Sequence, residues 1–163
     1  MVLVVPERHL YRALLARIRS MDRIAIATAT SEIAASIMPR DRTAHSMFKI
    51  PIKLEDNSVC NFTKQNGIVA LLREASLIIW DEVAMTRSQA VETLDRSLQD
   101  IIGCDLPFGG KVMVFGGDSR QVLPVVPRGT RAQICDATLL QSYIWDDIKI
   151  IRLKQNMRAQ NDV

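Results

Sequence analysis

Ser76-Leu77-Ile78-Ile79-Trp80-Asp81-Glu82 places four large apolar residues in a row and ends on two adjacent acids. An apolar run without alternation is what a strand covered on both faces requires, as in a parallel sheet. Its flanks change period. Lys64 to Glu74 carries Ile68, Leu71 and Leu72 at helical spacing, and Ser88 to Ile102 carries Val91, Leu94, Leu98, Ile101 and Ile102. Farther out, Leu10 to Met21 has an apolar stripe of Leu10, Leu14, Leu15 and Ile18 against Arg12, Arg17 and Arg19, which predicts another amphipathic helix. Ile24 to Thr28 and Lys111 to Phe115 read as further buried strands, and Lys149 to Leu153 as a last one. Ser31 to Met38 predicts a short helix stopped near Pro39, and Arg131 to Leu140 another. Arg40 to Phe62, polar and interrupted by Pro51, reads as loop with some edge-strand character. Strands alternating with helices predict one α/β layer structure with a mainly parallel sheet, and no linker or repeat divides it.

Composition agrees with a single packed domain. The chain has 163 residues, 48% of them hydrophobic and 24% charged, which excludes a disordered chain and leaves enough apolar surface for one core. Cys60, Cys104 and Cys135 are scattered and form no CxxC pair, and the only histidines are His9 and His45, so a zinc site is not expected. No apolar run approaches the ~18 residues of a membrane span, and Met1 to Pro6 has no basic leader pattern. An intracellular protein with reduced thiols and no membrane contact is the expectation. A net charge of +3 permits nucleic-acid contact without requiring it.

In open α/β sheets chemistry gathers at the carboxyl ends of the strands. Two predicted strands end there on acids: one on Asp81-Glu82, the other on Gly116-Gly117-Asp118. An apolar strand ending in Asp-Glu is the pattern of a Walker B site, in which Asp holds Mg²⁺ through water and Glu polarises the water that attacks a γ-phosphate. The alternative is that Asp81 and Glu82 cap the helix that follows. The Gly-Gly-Asp-Ser-Arg-Gln turn would set Asp118, Arg120 and Gln121 beside that first site, with the Gln121 amide able to orient water or meet a phosphate. It also reads as an ordinary surface turn. A deaminase or other metal hydrolase built on Asp81 and Glu82 lacks accompanying His or Cys ligands.

Several longer stretches resemble one family. Leu77 to Glu82 resembles motif II of the Pif/RecD-like superfamily-one DNA helicases, and Phe115-Gly-Gly-Asp-Ser-Arg-Gln-Val-Leu-Pro-Val125 is similar to their motif III. Arg42-Thr-Ala-His-Ser-Met-Phe-Lys-Ile-Pro51 resembles the segment after motif Ia, and Leu153-Lys-Gln-Asn-Met-Arg158 resembles motif IV. The order is the family's, the resemblance runs from about Leu10 to Arg158, and its style is similar to the helicases of plant genomes and Helitron-type transposons.

The resemblance implies residues 1–163 forming a RecA-like P-loop NTPase domain, the first motor domain of an ATP-driven helicase. Such a motor moves 5′ to 3′ on single-stranded DNA, unwinds duplex DNA and works with a second motor domain. Roles in DNA repair, recombination and telomere maintenance, and a nuclear location, come with it. By the same carry-over Asp81 holds Mg²⁺, Asp118 lies at the nucleotide, Glu82 activates water, Gln121 senses the γ-phosphate and Arg158 acts as an arginine finger. Thr43, His45 and Ser46 lie along the DNA path with Pro124 near it. Outside the motif His45 would read as a satisfied loop histidine and Arg158 as a surface charge.

The chain departs from the family's pattern at three places. Where a glycine-rich loop with Gly-Lys-Thr should precede Leu10, it reads Val4-Val5-Pro6-Glu7-Arg8-His9, with no glycine before Gly67. Backbone can wrap a phosphate closely only through such a glycine turn. The strand that precedes that loop is missing or reduced to Val2 to Val5, so the sheet is expected to be incomplete there. Glu32 stands where motif Ia favours Gly, with repulsion of the DNA backbone or disturbance of the tight turn expected. The sequence reads to Val163 without a second motor domain, which leads to an alternative expectation: a catalytically inactive helicase remnant that at most binds DNA or protein.

Overall fold

The structure, a computed structural model, describes residues 8–36, 38, 42–62, 67–117 and 123–151. Among these, three parallel strands lie side by side in chain order: β1 (Ile24–Ala29), β2 (Ala75–Asp81) and β3 (Val112–Phe115). Ile26 pairs with Ile78, Ala29 with Asp81 and Trp80 with Phe115, so the ends of β1 and β2 finish level. The helices are α1 (Arg8–Arg19), α2 (Glu32–Ala35), α3 (Ala44–Phe48), α4 (Gly67–Glu74), α5 (Ser88–Ile102) and α6 (Arg131–Asp136).

The two-residue period of the strands divides the core in two. Ile26, Ile78, Trp80, Met113 and Phe115 face one way, against Val91, Leu94 and Leu98 of α5, Phe48 of α3 and Leu72 of α4. Ala25, Ala27, Leu77, Ile79 and Val114 face the other way, against Tyr11 and Leu15 of α1 and against Met38. This is the sheet covered on both faces that the unbroken apolar runs predict. Trp80 is fully buried between Phe48 and Phe115, at ring-centroid distances of 5.8 and 6.4 Å. Each such side chain contributes about 1.5–3 kcal/mol by leaving water. Parity also fixes the site: Asp81, an odd position, carries its carboxylate onto the α1 side.

Some predicted elements are corrected. The segment 40–62 is not simply loop, since α3 forms within it. Thr43 accepts from the Ser46 N–H and caps that helix, while Ala44, Met47 and Phe48 bury the i, i+3, i+4 face that Pro51 and the polar neighbours obscured. The helix predicted to run to Met38 stops at Ala35, and the one predicted to run to Leu140 stops at Asp136, followed by a 3₁₀ turn at Leu139–Gln141. Of the predicted last strand, 149–151 pair with nothing as a strand, and 152–153 lie outside the described residues. Glu32 disturbs no turn. It is exposed in the first turn of α2, where an acid complements the helix dipole.

Cys60 is packed in the α5-side core, its N–H donating to Ser97 Oγ at 2.8 Å. Burial pushes its thiol from 9.0 up to about 11, against smaller opposing effects of Ser97 and Arg96. The neutral thiol is therefore favoured by folding. Stability is fully present below pH 9 and is lost as the unfolded thiol ionises and the folded one does not, up to about pH 11, at a cost of roughly 3 kcal/mol. Urea unfolding across that window should show a shallower fall for Cys60→Ala than for the unaltered chain. Parallel falls would mean that the thiol does not resist ionisation.

Candidate nucleotide and DNA site

The carboxyl ends of β1 and β2 and the turn after β3 meet at Asp81, Glu82, Thr30, Ser31 and Gly116. Backbone bonds lock them together: Gly116 N donates to Trp80 O and Val83 N to Gly116 O, both at 2.9 Å, and Thr30 N donates to Asp81 O at 3.0 Å. Asp81 and Glu82 are both half-buried.

Asp81 meets α1. Tyr11, only 1% exposed, donates its hydroxyl to Asp81 Oδ1 at 3.0 Å. Burial, then the carboxylate's charge, then that hydrogen bond raise the Tyr11 phenol well above its ordinary range, so it stays protonated and remains a donor. The contact brings the first turns of α1 beside the strand-end acids. That end of a helix carries partial positive charge and orphan N–H groups, the environment a phosphate requires.

Glu82 leaves the strand in the left-handed region at φ 55°, a conformation that costs a non-glycine residue energy. Its Oε2 accepts from Ser31 Oγ at 2.6 Å, while the same serine oxygen accepts from Ala34 N and caps α2. One hydroxyl thus ties the end of β1 to the second acid. Neither acid merely caps α5, whose N-cap position is Arg87.

Mg²⁺ demands oxygen ligands, keeps several waters and is held by one or two carboxylates together with a nucleotide's phosphates. Asp81 and Glu82 suit that mode. Among the described residues no group of three or more His, Cys, Asp or Glu could form a cage of its own.

Beyond Thr30 lies a groove of about 580 Å³, lined by Thr30, His45, Lys53, Thr86, Arg87 and Val125, with the Glu55 carboxylate also on its wall. Thr30 Oγ1 and Thr86 Oγ1 are 2.8 Å apart, and Trp80 Nε1 donates to Thr30 Oγ1 at 3.0 Å. Burial lowers the His45 pKa, so its imidazole is neutral near pH 7 and offers a donor and an acceptor in place of a charge. Thr43 is half-buried and Ser46 exposed on the same short helix. Pro124 is buried, and the exposed surface of its segment belongs to Leu123 and Val125.

The structure therefore brings Asp81 and Glu82 together and sets His45 in a neighbouring groove. Asp118, Gln121 and Arg158 lie outside the described residues, as do the expected strand remnant Val2 to Val5 and the following Pro6 and Glu7. Sequence reasoning missed Tyr11, Thr30, Ser31, Thr86 and Val125. Only Tyr11 left a signal, as the i position before Leu14, Leu15 and Ile18 on the buried stripe of α1.

The profile of the family described as PIF1-like helicase matches residues 7–163. The ATP-dependent DNA helicase Pif1 of Psychrobacter sp. (strain PRwf-1) is 28% identical over 141 residues, covering 85% of this chain and 21% of that protein. That of Bdellovibrio bacteriovorus is 26% identical over 150 residues, covering 89% and 33%. The chain thus spans no more than a third of the length of these relatives. Among solved structures, Bacteroides sp. Pif1 in complex with ADP-AlF4 superimposes with a TM-score of 0.75 at 25% identity, over 96% of this chain and 38% of that one. Bacteroides Pif1 bound to single-stranded DNA gives 0.70 at 26% identity, over 92% and 37%.

Proposed function

We propose, from the premise that this chain belongs to the PIF1-like helicase family, that residues 1–163 are the first motor domain of an ATP-dependent DNA helicase. In this reading Asp81 holds Mg²⁺ through water, Glu82 polarises the attacking water with Ser31 fixing its carboxylate, and Asp118, Gln121 and Arg158 complete the nucleotide site. Single-stranded DNA follows the groove of His45, Thr86 and Val125, with Thr43 and Ser46 on its rim. A second motor domain closes the nucleotide cleft. Movement 5′ to 3′, work in DNA repair, recombination and telomere maintenance, and a nuclear location belong to the same proposal.

One observation carries it: the two acids stand at the end of β2, between the first turns of α1 and the groove, with Thr30 touching both sides. A relative bound to ADP-AlF4 and another bound to single-stranded DNA support the assignment of the two halves. A second reading rests on the absence of glycine and of Gly-Lys-Thr before Leu10. Under it, this chain by itself binds DNA but does not hydrolyse ATP.

Titrating the chain with a fluorescent ATP analogue and Mg²⁺ separates the two. The first reading expects saturable binding that Asp81→Ala abolishes. A folded sample that binds a labelled oligonucleotide but no nucleotide establishes the second, and one that binds neither overturns both for this chain.

A further inference from the structure

The outer edge of β1 has a groove of its own. It measures about 570 Å³ and is lined by the strand residues Ile24 to Ala27, by Met47 and Leu71, and by Arg19, Arg23 and Arg42. It lies toward the start of the strand, whereas the acids and the DNA groove lie at its end.

Strand geometry identifies what this edge offers. In a parallel pair the backbone groups of alternate residues point to the same neighbour. Thr30 N donates to Asp81 O, so the even-numbered groups of β1 serve β2 and the odd-numbered groups face away. Ala29 confirms this parity, since it forms an isolated bridge to Thr43 on the outer side. Ala25 and Ala27 therefore aim N–H and C=O into the groove. The one bond among the described residues at those outer groups is a long one, Arg19 Nη2 to Ala25 O at 3.5 Å. A strand edge whose outer backbone groups have no strand partner is a template for another strand.

We propose that this edge takes an extended acidic segment of a partner protein as an additional parallel-sheet strand. The guanidiniums select the charge. Arg19, Arg23 and Arg42 are all exposed, no ion pair engages them among the described residues, and no carboxylate lies among the lining residues. Arginine's planar fork matches a carboxylate with two parallel hydrogen bonds. Alternate side chains of such a segment meet Ile24, Met47 and Leu71, while the backbone bonds supply affinity without regard to sequence. Single-stranded nucleic acid is the poorer fit, because among the described lining residues there is no aromatic face on which bases could stack. The proposal is independent of nucleotide chemistry at Asp81.

The test uses the full chain and a fluorescein-labelled peptide of alternating valine and glutamate, read by anisotropy and by amide hydrogen exchange. Saturable binding is expected, with slowed exchange at the Ala25 and Ala27 amides. The double variant R23E/R42E, checked by circular dichroism, should weaken it at least about tenfold, the scale of one charge-assisted contact. The same peptide N-methylated at alternate amides should also bind at least about tenfold more weakly. This arm leaves the protein untouched. No binding, or binding indifferent to both changes, overturns the proposal and leaves the arginines as guards against edge-to-edge association. Displacement by a single-stranded oligonucleotide, with N-methylation without effect, overturns it in favour of a nucleic-acid site.

Discussion

Gly116→Ala should lower the melting temperature by roughly 10 °C, from a loss of about 3 kcal/mol, the upper end of what overpacking ordinarily costs, at 2–4 °C per kcal/mol for a domain of this size. The reason is steric and not conformational, since Gly116 is not among the positive-φ residues. A Cβ there would stand 1.7 Å from Tyr11 Oη, 2.5 Å from Asp81 Oδ1 and 2.9 Å from Tyr11 Cζ. The backbone cannot retreat, because Gly116 is bonded through its N–H to Trp80 and through its carbonyl to Val83. Tyr11 must therefore leave a site in which it is almost wholly buried. Adding Tyr11→Phe should recover part of the loss, because it removes the closest atom but not the ring carbon behind it. A melting temperature within roughly 2 °C of the unaltered chain, less than about 1 kcal/mol, would show that α1 does not pack over Gly116 in this way.

Asp95→Ala is the second substitution expected to act strongly, through the opposite face of the molecule. Asp95 lies in α5, is 1% exposed, and accepts from Phe108 N at 2.6 Å and from Tyr143 Oη at 2.7 Å. It organises the turn before β3, where Phe108 and Gly109 both take left-handed conformations. Removing the carboxylate strands the Phe108 N–H inside the core and releases Tyr143. A buried donor left unsatisfied costs about 1–3 kcal/mol and a lost hydrogen bond to a charged group about 1.5–3 kcal/mol, so the total loss should be about 3–5 kcal/mol. Asp95→Asn, which keeps an acceptor, should cost less. Burial and then Asp95 raise the Tyr143 phenol above its usual 10.0, so in Asp95→Ala its titration should fall back toward that value. Urea unfolding and tyrosinate absorbance measure the two effects separately. Unchanged stability would remove Asp95 from its anchoring role.

What could be read from the sequence was what period and apolarity encode. The runs Ile24 to Thr28, Leu77 to Trp80 and Val112 to Phe115 gave strands because each is buried on both faces, and the α5 stripe gave a helix for the same kind of reason. Asp81 and Glu82 were legible because strand ends gather chemistry. The helix α3 was hidden because its signal is a Thr cap and three buried residues within a polar stretch. Tyr11 was passed over because its stripe reads equally well as leucine packing, and only the register of α1 on the sheet aims its hydroxyl at Asp81. Ser31 was illegible for a deeper reason. Its partner Glu82 is 51 positions away, and such a pairing exists only after β1 and β2 lie side by side.

Thr30 has a consequence for energy flow between ligands. Its backbone N–H holds the carbonyl of Asp81, while its hydroxyl meets Thr86 in the groove and the indole of Trp80. A ligand that displaces this residue at one end must alter its contacts at the other. Under the proposed function thermodynamic reciprocity then applies: whatever factor an oligonucleotide contributes to nucleotide affinity, the nucleotide returns to the oligonucleotide. Under the same proposal Thr30→Val, which keeps shape and backbone but removes the hydroxyl, should lower the change in nucleotide affinity that added oligonucleotide produces, without abolishing either affinity.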